Sequence, residues 1–395
     1  MKWATAISRK TSMEDAVLEC AEGIARDLGP GPVSLALAFV TPHFAQFHNR
    51  IPALMQRYLG PETLLGCSGG GVIGGGEEVE RAPALTLVAS RLPEVKITPF
   101  HVYRPLPDLD GPPDAWERLV GVSADEEPQF VLLVDPFSVR AGALLAGLDY
   151  AFPTAAKIGG LASGGTSPGL NALFLNDEVH TQGAVGVALS GNVAVDTVVA
   201  QGCRTIGDLM SVTGCRGNLL HELDGRPVFE VLQEIFDGLG DDERELARSA
   251  LFIGVLMDEF REEPGPGDFL IRNLIGVDSQ HGAIAVGENL QEGMRLRFHL
   301  RDAQASAEDL HAILTNYGKI AENPDVISGA LLFSCLGRGE GLYGTPGHDT
   351  DVFHEHLGEV PVGGFFCNGE IGPVGGATFL HGYTSSFGLF RPCTV

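Results

Sequence analysis

The sequence predicts a mixed α/β fold made of repeated strand–helix–glycine turn–hairpin units. Its sheets are expected to be mixed and largely antiparallel, covered by helices and arranged as two similar halves. Three observations carry this reading. Hydrophobic residues make up 44% of the 395 residues, enough for a sizeable core. Apolar runs such as "SLALAFV" (34–40) and "FVLLVD" (130–135) have the length of strands, not of membrane spans. Glycine, at 53 residues, is about twice as frequent as usual and clusters where strand-like runs end.

The elements follow in order. Thr11–Leu28 reads as a helix: Ser12 precedes Asp15 by three, and Ala16, Val17, Cys20, Ile24 and Leu28 recur at helical spacing. The first unit starts at Val33–Val40 and continues through a helical stretch, Ala45–Leu59, to "TLLGCSGGGVIGGG". It ends in "ALTLVAS" and "VKITPFHV". The second runs from "FVLLVDPFS" through helical Arg140–Tyr150 to "AKIGGLASGGTSPG". It closes in a hairpin whose arms, "NALFL" and "GAVGVAL", flank Asn176-Asp177-Glu178. The third runs from "GALLFSCLGRG" through Thr350–Leu357 to "VPVGGFFCNGEIGPVGG" and "ATFLHGYTSSFGLF". A fainter fourth unit starts at "ALFIGVLMDEF". Residues 205–250 read as two or three amphipathic helices, including "IGDLMSVTG", and 301–316 as another, which starts with Asp302. A division into 1–205 and 206–395 follows.

Charge and cysteine usage exclude whole classes. A formal charge of −25 repels nucleic acid and anionic lipid, so neither is expected as a partner. The N-terminus lacks the apolar core of a signal peptide, and the seven scattered cysteines form no C-x-x-C pair. A reduced cytoplasm is the expected compartment, with no membrane insertion, disulfide framework or structural zinc.

The chemistry narrows to the glycine turns. "GCSGGGVIGGG" lacks the Lys-Ser/Thr that ends a phosphate loop, and a strand rather than a helix follows it, unlike a dinucleotide fingerprint or a nucleophile elbow. Cys67, Ser68 and Ser163 therefore read as turn residues that line a cleft where the turns meet. The third turn is better equipped. Arg338, Asn368 and Glu370, with Cys335 close by, suit an amino-acid-like ligand: arginine takes a carboxylate and glutamate an amine. Composition alone leaves a structural Arg338–Glu370 salt bridge equally open. "HDTDVFHEH" (348–356) reads as a solvated acidic helix, and no metal or other cofactor is expected.

These residues carry a resemblance. "LLGCSGGGVIGGG" with "ALTLVAS", then Cys335-x-Gly-Arg338 and Gly-Phe-Phe-x-Asn368-Gly-Glu370, are similar to the FIST sensory domain family over nearly the whole chain. The resemblance implies FIST N-terminal and C-terminal parts in an intracellular module that binds small ligands such as amino acids and signals. In relatives that module is fused to kinase, cyclase or methyl-accepting domains, or to an F-box. The two parts leave no room for such an output, so a signalling protein partner is expected. The rival reading is a cysteine- or serine-dependent amidohydrolase, with Cys335 as nucleophile and His381 as base. A scaffold that binds a protein partner without a small ligand is the third.

Overall fold

The computed structural model describes residues 1–103, 105–278, 280–320 and 327–393. Its elements are mixed α/β, as the sequence predicts. The chain forms two compact units, one of residues 1–199, 310–380 and 384–395, the other of 200–309 and 381–383.

The first unit is a triplicated motif. The first copy runs β1 (Lys2–Ser8), α1 (Met13–Leu28), β2 (Leu35–Val40), α2 (Ile51–Tyr58), β3 (Thr63–Ser68), hairpin β4 (Gly71–Gly74) and β5 (Glu77–Glu80), and β6 (Leu85–Arg91). The second runs β7 (Val95–Val102), α3 (Asp114–Val120), β8 (Gln129–Val134), α4 (Ala141–Ala151), β9 (Lys157–Leu161), hairpin β10 (Leu173–Leu175) and β11 (Glu178–His180), and β12 (Ala184–Gly191). The third starts at β13 (Ala194–Ala200) and is interrupted in sequence by residues of the second unit.

That second unit contains β14 (Cys203–Arg216), β15 (Leu219–Leu223), β16 (Arg226–Pro227), α5 (Val228–Gly238), α6 (Asp241–Ala250), β17 (Leu251–Leu256), β18 (Phe269–Asp278), β19 (Ala283–Val286) and β20 (Arg295–Arg301). The third copy then resumes with α7 (Ala303–Ile320), β21 (Gly329–Cys335), α8 (Glu340–Tyr343), α9 (His348–Leu357), β22 (Val362–Cys367), hairpin β23 (Glu370–Val374) and β24 (Ala377–His381), and β25 (Ser385–Arg391).

Each copy pairs two strands in parallel, β2–β3, β8–β9 and β21–β22, and flanks them with an antiparallel closing strand. The hairpins are exchanged in a cycle. The first copy's hairpin joins the third copy's sheet, the second's joins the first's, and the third's joins the second's. Inward side chains of all three sheets, including Leu37, Phe39, Val131, Leu133, Leu331 and Phe333, share one buried core. Alternate residues such as Ala36, Ala38, Leu132 and Val134 pack outward on helices. Burial on both faces is why these strands read as unbroken apolar runs.

One glycine in each copy sits where the parallel strands approach closely. A Cβ at Gly66, Gly159 or Gly364 would lie 2.2, 1.8 or 1.7 Å from the carbonyl oxygen of Ala38, Leu132 or Leu332. Glycine at these three points is a packing requirement, not a loop signature.

Several sequence expectations change. The first-copy hairpin is β4–β5, not "ALTLVAS" with "VKITPFHV", which become β6 and β7. "IGDLMSVTG" lies in β14, because pairing with β20 and β15 overrides its helical spacing. Residues 42–50 are 3₁₀, and only Ile51–Tyr58 is α-helical. Among the described residues the fainter fourth unit does not follow the repeat. In the second unit β17 and β18 are antiparallel, and the sheet β14-β20-β17-β18-β19-β15 closes on itself through β14–β15. As expected, Ser12 caps α1 by accepting from the Asp15 N–H, and Asp302 caps α7 by accepting from the Ala305 N–H. No helix among the described residues is long and apolar enough to cross a membrane.

Candidate functional site

The three copies meet at the C-terminal ends of their parallel strands. The Ser163 N–H donates to the Ser68 carbonyl at 3.1 Å, and the Asn368 N–H donates to the Leu161 carbonyl at 3.1 Å. The third junction is bridged by a side chain. The Ser163 hydroxyl donates to the Phe366 carbonyl at 2.5 Å and accepts from the Gly70 N–H at 2.8 Å. Ser163 thus closes a ring of turn-to-turn bonds. Ser68 Oγ accepts from the Ala172 N–H at 3.1 Å, tying its turn to the second-copy hairpin. Cys67 is fully buried in the central core, which pushes its thiol well above the usual range.

The third copy departs from the others at matched positions. Thr41, Asp135 and Cys335 each donate a backbone N–H to the strand that closes their sheet, at Ala84, Gly183 and Thr384. Three residues further stand Phe44, Ser138 and Arg338. Across the exchanged hairpins, Val72 pairs with Phe365, Leu173 with Cys67 and Glu370 with Gly160. A carboxylic acid therefore occupies a fully buried position that is Val72 in one copy and Leu173 in another.

Glu370 Oε2 accepts from the Thr384 N–H at 3.2 Å and its hydroxyl at 2.9 Å, while Oε1 is buried without a conventional hydrogen bond. Burial pushes the acid up to about 8 against the pull of Thr384, the Arg338 charge and the Cys335 thiol. It is therefore mostly protonated at neutral pH, able to donate as well as accept. Cys335 is 9% exposed, and its sulfur accepts from the Gly337 N–H at 3.4 Å. On the rim, Asn368 is exposed, and Leu336 is exposed and packs over Gly70.

Arg338 pairs with Asp349 rather than with Glu370. Nε donates to Oδ2 and Nη2 to Oδ1, each at 2.9 Å, with both side chains buried. Ser334, Ser385 and His348 also bond the Asp349 carboxylate. Burial alone would raise this acid, but the Arg338 charge and these bonds hold it well below the usual carboxylate range. Tyr343 stacks on His348 at 3.5 Å and lies 5.6 Å from the guanidinium carbon. Asp349 opens α9, so "HDTDVFHEH" is not simply a solvated helix: Asp349, Thr350, Val352 and Phe353 are buried. Glu78 completes the cluster. Its Oε1 accepts from the Thr350 N–H and hydroxyl at 2.9 Å each, and burial, with Asp349's charge, pushes it up to about 8.

The structure thus gathers Cys335, Arg338 and Glu370, sets Asn368 at the rim, assigns Ser68 and Ser163 to the turns, and puts Cys67 in the core. Sequence reasoning missed Asp349, Glu78, Thr384 and Ser385. The available signal was an Asp-Thr pair at a helix start, where an acid favours the dipole. His381 closes β24, is buried, and is counted with the second compact unit.

Three hairpin-exchanging copies with a polar site centred on the third define an α/β protein of internal repeats. The chain belongs to the FIST family: residues 34–226 match the FIST N domain and 229–373 the FIST C domain. An uncharacterized protein of Mycobacterium tuberculosis is 36% identical over 393 residues, covering 99% of this chain and 100% of that protein. One of Mycobacterium bovis is 37% identical over 375 residues, 94% of each. An F-box/LRR-repeat protein of Arabidopsis thaliana is 30% identical over 142 residues, 32% of this chain and 26% of that one. A cyanuric acid hydrolase from A. caulinodans aligns over 100% of both chains at 11% identity, with a TM-score of 0.33.

Proposed function

We propose that this protein is an intracellular sensor that binds a small polar metabolite of amino-acid type at the third-copy turns and acts through a protein partner. The observation that carries the reading is Glu370: a buried, mostly protonated acid at a position that is apolar in both sister copies. Cys335 flanks it, and Asn368 offers an amide at the rim. Arg338 acts here by fixing Asp349 and the loop after β21, and its charge reaches Glu370. Ser68 and Ser163 hold the turns in place.

Calorimetric titration with a panel of amino acids and their amides tests the reading. Glu370→Leu restores the side chain of the sister position and should abolish binding in a folded protein. Binding unchanged in Glu370→Leu sinks the assignment.

A second reading, an amidohydrolase with Cys335 as nucleophile, draws on the thiol's place beside a proton-carrying acid. It requires Cys335 to react faster than its exposure accounts for.

A further inference from the structure

We propose that His311, Glu355 and His356 form a binding site for a divalent transition metal, zinc being the natural occupant. This departs from the metal-free expectation drawn from sequence, which weighed "HDTDVFHEH" without knowing that α7 packs its His311 beside the end of α9. His311 Nδ1 and His356 Nε2 lie 2.9 Å apart, with their ring centroids 5.2 Å apart and the rings at 71°. A Glu355 carboxylate oxygen joins them, and the three donor atoms all lie within 4.8 Å of one another. All three residues belong to the first compact unit.

The donor set fits the chemistry. Two imidazoles and a carboxylate are ligands that zinc accepts in tetrahedral sites, leaving a fourth position for water or another group. Metal–nitrogen bonds of about 2.0–2.1 Å set two imidazole nitrogens about 3.3–3.4 Å apart on such an ion. The present nitrogens need separate by no more than about half an ångström. Both histidines are half-buried and stand on regular helices, His311 inside α7 and His356 in the last turn of α9. In the absence of metal the two rings share one N–H···N bond, and metal binding replaces it as that proton moves to the other nitrogen of its own ring. The formal charge of −25 further favours cations near the surface.

The test uses the full chain, stripped with EDTA and titrated with Co(II) and then Zn(II). Wild type should take up one equivalent of Co(II) with the strong visible absorption of a tetrahedral ion, bleached by Zn(II). His311→Gln and His356→Gln should each remove that uptake while circular dichroism stays unchanged. His356→Cys should keep the uptake and add a thiolate-to-cobalt charge-transfer band, which a merely structural histidine pair would not produce. Should the glutamine variants unfold, the His356→Cys spectrum decides. No saturable uptake by wild type, uptake that survives both glutamine variants, or a His356→Cys spectrum without the charge-transfer band overturns the site.

Discussion

Arg338 grips Asp349 through two parallel hydrogen bonds of 2.9 Å, with neither side chain open to solvent. This geometry is bidentate, and Ser334, Ser385 and His348 satisfy much of the carboxylate that remains. Removing one partner strands a buried charge. Arg338→Ala or Asp349→Ala should each destabilise the fold by about 3–5 kcal/mol. The double variant Arg338→Met/Asp349→Leu should lose far less than the sum. Urea denaturation of the four proteins measures this, and additive losses would argue that the pair is not coupled.

Stability should depend on pH through Glu370 and Glu78. Each is pushed from an ordinary value of 4.5 up to about 8 by burial. A folded-state value above the unfolded one means the native state binds more protons between those limits. Their contribution is therefore fully present below about pH 4.5 and is lost as pH rises through 8. Asp349, held low, acts oppositely and weakens the fold only in acid. Glu370→Gln should flatten the fall between pH 6 and 8, by up to about 1.4 kcal/mol per pH unit. Denaturation midpoints that decline equally in both proteins would place the titration elsewhere.

Ser163 supplies a junction that backbone alone makes at the two equivalent places. Ser163→Ala leaves the Gly70 N–H and the Phe366 carbonyl without this bridge. A loss of about 1–3 kcal/mol follows, with faster amide exchange at Gly70 as the local signature. Unchanged exchange at Gly70 would show that the ring does not depend on the hydroxyl.

The thiols should react in an order that separates the two functional readings. Cys393 is exposed and Cys215 half-exposed, so both should be alkylated early. Cys20, Cys67 and Cys367 are buried with raised thiol values and should be last. A binding protein places Cys335 after Cys215. Mass spectrometry that finds Cys335 modified first, despite its 9% exposure, favours the amidohydrolase.

Glycine at 364 is demanded by a carbonyl at 1.7 Å from where a Cβ would stand. Gly364→Ala should cost about 1–3 kcal/mol or more through forced separation of β21 and β22. Gly142, with open space around it, is the control and should tolerate alanine. Thermal unfolding of the two variants compares them directly.

The sequence by itself determined the strands, because Leu35–Val40, Gln129–Val134 and Gly329–Cys335 are apolar on both faces wherever they are placed. It also determined that the third copy is the equipped one, since Cys335, Arg338 and Glu370 are legible beside the glycines. Helix starts with a side-chain cap, at Ser12 and Asp302, were readable because capping is local. Tertiary structure decided what depends on distant partners. The cyclic exchange of hairpins cannot be seen within any one copy, since each hairpin pairs with a strand from another. "IGDLMSVTG" became a strand because β20 and β15 offered it a ladder. Arg338 found Asp349, eleven residues on, rather than Glu370, because the turn into α9 aims a carboxylate at the guanidinium. The stretch 64–78 shows both limits. Its glycines announced a turn, yet Gly66 lies inside a strand, forced there by the neighbouring carbonyl of Ala38. Glu78, at the end of that stretch, is an inward acid bonded to Thr350 of α9, a partner 272 residues away in sequence.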